Sequence, residues 1–220
     1  MNDDISMDGL FSSHVAIACG VPGEVAEELF PSEQSSIEQA VEKRRSEFIA
    51  GRALARRALR ELGIEDVAIP VGEKREPVWP QGFSGSIAHT RGFCGVAVAR
   101  QSDVRGLGFD VERICDVSAE LRSHIVTDAE LQALHNAIGG TVERALALAF
   151  SAKESFYKFQ FPLSRQWISL LDVELRADSG GFSAIPAIAL HHACACGEPI
   201  RGKYVFQGDF VLTGIEVAAK

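Results

Sequence analysis

Two short runs of this sequence carry side chains suited to phosphate chemistry around a metal ion. The first is Gly106-Leu107-Gly108-Phe109-Asp110-Val111-Glu112. Along a strand, residues two apart point the same way, so Asp110 and Glu112 are expected on one face and Phe109 and Val111 toward the core. Adjacent carboxylates repel unless a cation lies between them. Oxygen-only donors favour Mg2+, which also keeps waters and substrate phosphates in its shell, and Mn2+ accepts the same donors. The plainer alternative is a solvated strand end with two surface acids. The second run is Phe150-Ser-Ala-Lys153-Glu154-Ser-Phe-Tyr-Lys158, inside an expected helix. Glu154 and Lys158 are four apart and share a helix face, as an ordinary surface pair would. Phe150, Phe156, Tyr157 and Phe159 leave little solvated surface nearby, and a carboxylate in such company calls for a specific partner. Glu154 could complete a three-carboxylate set with Asp110 and Glu112, and Lys158 could meet a phosphate.

Anion-binding candidates lie upstream. Gly82–Thr90 reads as a Gly/Ser loop whose backbone N–H groups and hydroxyls suit a phosphate, with Ser86, His89 and Thr90 as donors. A lone histidine beside a strand is also a common structural hydrogen-bonding residue. Gly72-Glu-Lys74-Arg75-Glu-Pro77 adds a basic loop. A long helical pattern carries Lys43, Arg44, Arg45, Arg52, Arg56, Arg57 and Arg60. Arg56, Arg57 and Arg60 read as a solvated face. Arg44 and Arg52 flank Phe48, and arginine forks match phosphate oxygens. Two further patterns point elsewhere. His191-His192-x-Cys194-x-Cys196 has no standard zinc spacing and reads as buried thiols. Gly-Leu-Gly-Phe-Asp is no dinucleotide fingerprint, because no G-x-G-x-x-G opens a helix.

These residues need elements to position them. Ser13–Cys19 alternates and reads as a strand. Pro31-Ser32 opens a helical pattern through Ile37, Val41, Phe48, Ala55, Leu59 and Leu62, with Gly63 as its stop. Val67–Val71 reads as a short strand and Gly72–Gly85 as a loop. Gly95–Ala99 and Leu107–Val111 read as buried strands across a turn at Gln101–Gly106. Val117–Ile125 and Asp128–Ala137 look helical. Glu143–Phe159 is a strong helix, ended by Pro162. Ile168–Leu175, Tyr204–Gln207 and Val211–Glu216 read as strands. A long helix followed by strands occurs in each half, which suggests two similar α/β lobes, 1–103 and 104–220, in an α+β chain.

Composition sets the bounds. The chain has 220 residues, 46% hydrophobic and 24% charged, which excludes disorder and collagen-like structure. A formal net charge of −8 argues against a nucleic-acid partner, so an anionic ligand must be held by a local basic cluster. The five cysteines are an odd number in a chain too large to need disulfides, and read as reduced thiols of a cytoplasmic protein. The acidic start MNDDISMDGLF has no secretory pattern. The apolar stretch Phe182–Cys196 is broken by Pro186 and two histidines, so neither a membrane span nor a membrane partner is expected.

The stretches RRSEFIAGRALARRAL, GEKREPVWPQGFSGSIAHT, LGFDVE and FSAKESFYKFQFPLSRQWI occur in that order. Together they resemble the 4'-phosphopantetheinyl transferases of the surfactin-synthetase-activating (Sfp) type, and most of all the enterobactin synthetase component D branch. The pairing of G-x-D-x-E with a downstream K-E-S-x-Y-K carries the resemblance, which runs from about Glu42 to Trp167. It implies transfer of the phosphopantetheine arm of coenzyme A to a serine of an apo acyl, peptidyl or aryl carrier protein, releasing adenosine 3',5'-bisphosphate. It implies a Mg2+ site at Asp110, Glu112 and Glu154, with Lys158 near the diphosphate. His89, with Ser86 and Thr90 nearby, resembles the coenzyme A loop. Lys74, Arg44 and Arg52 resemble the residues that hold the nucleotide phosphates. The general base is Glu154 or Glu112. The implied fold is two pseudo-symmetric α/β lobes in one chain, hence a monomer. Phe156–Phe161 and Leu121–Leu134 are candidate carrier-docking surfaces, or else core. A Mg2+-dependent phosphohydrolase and a non-catalytic coenzyme A-binding module are the competing readings.

Overall fold

The computed structural model describes residues 5–25, 27–178 and 180–219, so the first four residues of the acidic start lie outside it. Strand β1 (Val15–Gly20) leads to a single helical turn, α1 (Pro31–Gln34), a short 3-10 turn over Ser35–Ile37, and then helix α2 (Glu42–Glu61). The continuous helix expected from Pro31 is therefore interrupted. Glu33 explains the break. It is 0% exposed, and its carboxylate accepts from Arg56, from the Ile69 N–H and from the Phe30 N–H. That anchors α1 against the side of α2 instead of in line with it. Gly63 does end α2: it sits at φ +79, and the N–H groups of Gly63 and Ile64 close on the carbonyls of Arg60 and Leu59.

Val67–Val71 forms no strand. Only Val71 makes an isolated bridge, to Pro77. The Ile69 N–H is taken by Glu33 and its carbonyl by Arg52, while Pro70 has no N–H to offer a ladder. Conversely, Gly82–Thr90, read as a loop, is mostly strand β2 (Phe83–Thr90). Its glycines and serines hid it, since they are poor strand formers. Gly85 has a packing reason: a Cβ there would lie 2.6 Å from the Trp79 ring and 2.8 Å from the Ala97 carbonyl.

β2 pairs with β3 (Phe93–Arg100), and β3 with β1, all antiparallel, in the order β1-β3-β2. A turn at residues 101–103, shorter than expected, leads into β4 (Val104–Arg113), which is bulged between Val104 and Gly106. β4 begins a second antiparallel sheet with β5 (Val173–Asp178), β6 (Gly181–Pro186), β7 (Ile200–Gln207) and β8 (Phe210–Ala218). Its order is β4-β8-β7-β6-β5. β5 starts later than expected, because Leu170–Asp172 form a 3-10 turn capped by Ser169 and Asp172. β6 overlaps the start of the apolar stretch Phe182–Cys196, which carried no strand assignment.

The helix expected over Val117–Ile125 is split into a 3-10 turn and the one-turn α3 (Arg122–Ile125). Thr127 caps α4 (Asp128–Ile138) and Thr141 caps α5 (Val142–Ser164), each accepting a backbone N–H with its hydroxyl. α5 runs through Pro162, which was expected to end it. A proline this close to the C-terminus removes one backbone bond near the end of the ladder. The helix stops at Arg165, in the left-handed region at φ 57, whose N–H returns to the Phe161 carbonyl.

Three apolar clusters hold the elements together. One joins α2 to the three-stranded sheet through Leu54, Leu59, Val96 and Val98. Another joins α5 and α4 to the five-stranded sheet through Phe156, Phe159, Leu131 and Leu175. The third lies between the sheets, where Leu107, Phe109 and Val111 of β4 meet Ala97, Ala99 and Val15. β4 is thus covered on both faces, with the three-stranded sheet on one side and α5 on the other. Among the described residues, no helix is long and apolar enough to cross a membrane.

Candidate active site

Two glycines set how closely α5 lies on β4. A Cβ at Gly108 would fall 1.9 Å from the Ser155 carbonyl oxygen, and one at Gly106 would fall 2.5 Å from the Phe159 ring. No other residue allows that approach. Gly106, Gly108, Asp110 and Glu112 alternate along one face of β4, so the glycines bring α5 down and the acids continue along the same line. Sequence reading established only that this G-x-G is no dinucleotide fingerprint. Its packing role depends on a helix nearly fifty residues further along the chain, which local pattern does not reveal.

Asp110 is 4% exposed. Lys158 Nζ donates to its Oδ1 at 2.6 Å, while Oδ2 is buried with no hydrogen-bond partner. Burial, then repulsion from Asp110, pushes Glu112 up to about 8, and Glu154 and Asp116 add to this against the pull of Lys158. Burial also raises Glu154, with Asp110 adding to it and Lys158 opposing. Burial acts to lower Lys158, but Asp110, Glu154 and Glu112 outweigh it and hold the ammonium charged. The three acids and the lysine therefore share one electrostatic field. They do not form a closed cage: among the described residues no three His, Cys, Asp or Glu side chains converge as a ligand set, and the ammonium sits where Asp110 meets its partner. The donor chemistry still fits a hard dication. The set is all oxygen, one buried carboxylate oxygen is unpartnered, and a neighbouring carboxyl is raised by burial and then by negative charge that a cation would offset.

Two clefts flank this cluster. One, of about 470 Å3, has Lys74, Ser86, Glu154 and Lys158 in its walls, together with the rings of Trp79 and Tyr157. The other, of about 620 Å3, has Arg44, Glu47, Arg52 and His89. Arg75, Pro77 and Ile87 line both. In the second cleft, Arg44 donates to His89 Nε2 at 2.8 Å. The histidine proton then sits on Nδ1, which lies 3.5 Å from Glu47. Burial, then Arg44 and Lys158, lowers His89 against the pull of Glu47 and keeps the ring neutral. Glu47 was missed in the sequence, although its place three residues after Arg44 and four after Lys43 is a readable helix spacing. Arg52 is buried, with Nε on the Ile69 carbonyl and its guanidinium 4.2 Å above Phe48. Burial brings it down to about 10.

Other expected residues fall elsewhere. Ser86 is buried, and its hydroxyl is used up inside the protein: it donates to the Phe109 carbonyl and accepts from the Phe109 N–H. Thr90 ends β2 and lines neither cleft. Arg56, read as solvated, is 1% exposed and bound to Glu33 and Glu27, whereas Arg57 and Arg60 are exposed. Residues 190–194 form a tight bridged turn whose His192 and Ala193 carbonyls are held by Arg105. Of the candidate docking segments, Phe156, Phe159, Phe161, Leu131 and Leu134 are core, and Leu121 is exposed.

Comparison with known proteins gives one answer over both halves. The 4'-phosphopantetheinyl transferase N-terminal domain matches residues 32–99, and the 4'-phosphopantetheinyl transferase superfamily matches residues 106–211. The 4'-phosphopantetheinyl transferase PptT of Mycobacterium tuberculosis is 35% identical over 195 residues, 84% of each chain. The 4'-phosphopantetheinyl transferase Npt of Nocardia iowensis is 32% identical over 202 residues, 86% of this chain and 89% of that one. Enterobactin synthase component D of Escherichia coli is 40% identical over 126 residues, 56% of this chain and 58% of its own. A junction of two sheets where β4 and α5 face each other with acids and a lysine, matched along most of its length by these enzymes, places the chain in a family: it belongs to the 4'-phosphopantetheinyl transferase superfamily.

Proposed function

We propose that the protein transfers the 4'-phosphopantetheine arm of coenzyme A to a serine hydroxyl of an apo acyl, peptidyl or aryl carrier protein and releases adenosine 3',5'-bisphosphate. The observation that carries this reading is the incomplete ion pair of Asp110 and Lys158, with its unpartnered Oδ2, beside two carboxyls that burial and mutual repulsion keep above their ordinary values. Asp110, Glu112 and Glu154 would hold Mg2+, or Mn2+, which when bound offsets charge on the diphosphate oxygens. Phosphoryl transfer asks a protein for position and charge more than for covalent help. Lys158 keeps its proton and meets the charge that builds on the leaving phosphate. The serine oxygen bonds to the phosphorus that bears the arm. The bridging P–O bond breaks, and its electron pair leaves with adenosine bisphosphate. The serine proton passes to a carboxylate, Glu154 first and Glu112 as the alternative.

Arg44, Arg52, Lys74 and His89 would hold the nucleotide phosphates, split between the two clefts. Ser86 and Thr90 then act through β2, Ser86 by fixing it to β4. On this reading residues 1–103 form the nucleotide-holding lobe and residues 104–220 the pseudo-symmetric lobe with the acids, working as a monomer in the cytoplasm. The test is mass spectrometry on a panel of apo carriers incubated with the protein, coenzyme A and Mg2+. The expected result is one phosphopantetheine mass added to a carrier serine. Coenzyme A cleaved without any carrier modified would make the protein a hydrolase. Coenzyme A bound but never turned over would make it a binding module.

A further inference from the structure

Among the described residues, four that are not glycine have positive φ: Asp66, Arg75, Arg165 and His192. Two of them, Arg75 and Arg165, are arginines in the walls of the same cleft. They come from distant parts of the sequence, Arg75 from the basic loop before β2 and Arg165 from the residue that ends α5. Glu76 lies between them in the structure. Its side chain is folded back on its own loop: Oε2 accepts the Lys74 N–H at 2.9 Å, and its backbone carbonyl accepts the Gly72 N–H at 2.7 Å. Gly72 is needed for this, because a Cβ there would be 2.5 Å from the Glu76 carboxyl carbon. Arg165 Nη1 crosses 89 positions of sequence to bind the other oxygen of Glu76. Burial alone would raise the Glu76 carboxyl, but the backbone N–H groups and Arg165 hold it below its ordinary value.

An arginine is a poor residue for a left-handed C-cap, where glycine is favoured and any side chain adds strain. Strain kept at one position points to a use for that side chain. Stability is a weak explanation for Arg165. Its side chain is 62% exposed, that of Glu76 16%, and exposed ion pairs add little. What the contact does fix is the turn that carries Lys74 and Arg75.

We propose that Arg165 is a positioning residue: through Glu76 it ties the end of α5 to the Gly72–Glu76 turn and so holds Lys74 and Arg75 over the two clefts to receive the phosphates of coenzyme A. This rests on the coenzyme A reading of the site. It adds a coupling, since the helix that carries Glu154 and Lys158 also sets the basic turn on the far wall.

The test is calorimetric titration of coenzyme A into the wild-type protein and into Arg165→Gly, Arg165→Lys, Glu76→Gln and the Arg165→Gly/Glu76→Gln double variant, with a thermal melt of each. Wild-type protein that binds no coenzyme A rejects the coenzyme A reading, and the proposal with it. Given wild-type binding, Arg165→Gly should melt at or above the wild-type temperature yet bind about tenfold more weakly, a change of about 1.4 kcal/mol. Glu76→Gln should weaken binding similarly, the double variant no further than either alone, and Arg165→Lys should recover part of the loss. Unchanged affinity in Arg165→Gly overturns the proposal, whatever the melt shows. Additive losses, or a loss in Arg165→Gly that Glu76→Gln does not share, also overturn it, because Arg165 would then touch the ligand directly.

Discussion

Two of the ion pairs drawn into this protein, Arg56–Glu33 on α2 and Lys158–Asp110 on α5, are finished to different degrees. On α2, Arg56 gives Nη1 to both oxygens of Glu33, Nε to Glu27 and Nη2 to the Glu28 carbonyl. Glu33 in turn takes the N–H groups of Ile69 and Phe30. Every polar atom of that pair has work inside the fold. On α5, Lys158 meets Asp110 through one bond, and the second Asp110 oxygen is buried with nothing to accept from. Burying charge is costly unless all its hydrogen-bonding capacity is met. The saturated pair needs nothing more and serves the scaffold. The unsaturated pair keeps one buried oxygen open to a further partner, which is the place the proposed function gives to a bound cation.

The contrast can be broken by substitution, and the scaffold pair should show the largest change. Glu33→Gln leaves Arg56 buried and short of a counter-charge. The expected loss of stability is about 3–5 kcal/mol, or a fall in melting temperature of roughly 6–20 °C for a chain of this size. Carrier loading per folded molecule should stay within about twofold, well inside the roughly tenfold that 1.4 kcal/mol represents. A melt within a degree or two of the parent would show that the α2 pair is not a closed structural unit. Asp110→Asn should do the reverse. Loading should fall by about 10^2–10^3-fold, the usual effect of removing one group that stabilises transition-state charge, while the melt moves little because Asp110 has only one bond to lose. Loading near the parent rate would remove Asp110 from the site.

The sequence carried the chemistry of this contrast better than its geometry. Asp110, Glu112, Glu154 and Lys158 were readable because strand and helix periods are short, so two acids two apart and a Glu/Lys pair four apart declare their faces locally. Arg56 was misread for the same reason. Its neighbours Arg57 and Arg60 are exposed, and what buries Arg56 is Glu33, 23 positions away. Strand β2 was hidden because its glycines and serines are there for close approach and for the Phe109 backbone, not for strand propensity. The Val67–Val71 segment looked like a strand and is not one, since side chains of Glu33 and Arg52 consume the hydrogen bonds a ladder would need. In each case a long-range partner overrides a local signal.

Ser86 sharpens the comparison from the seam between the sheets. Its one hydroxyl both donates to and accepts from the backbone of Phe109, the residue next to Asp110. Ser86→Ala leaves a buried N–H and a buried carbonyl unpaired at that point. The expected loss of stability is about 1–3 kcal/mol in a denaturant titration, smaller than for Glu33. Hydrogen exchange at the Phe109 amide should speed up in the same variant. An unchanged denaturation midpoint would mean that the seam is held by its apolar cluster alone and that the position of Asp110 does not depend on Ser86.

The smallest effect separates the two pairs by pH. Glu27 belongs to the closed network. Burial acts to raise its carboxyl, but the hydrogen bonds from Arg60 and Arg56 outweigh it and leave Glu27 below its ordinary value of 4.5. Glu112 and Glu154, beside the open pair, are displaced the opposite way. For an acid lowered in the folded state, the unfolded chain binds protons first as pH falls. The stability Glu27 contributes is therefore fully present above pH 4.5 and is lost as pH drops through its lower folded value. Its side chain is partly exposed, so the contribution is modest. Glu27→Gln should melt slightly below the parent at pH 6, and the gap should close as pH falls below 4.5. Melting curves of both proteins at half-unit steps would measure it. A gap that is constant across that window, or that widens in acid, would mean that the carboxylate charge of Glu27 does not help close the α2 network, and that its saturation rests on Glu33 and the backbone alone.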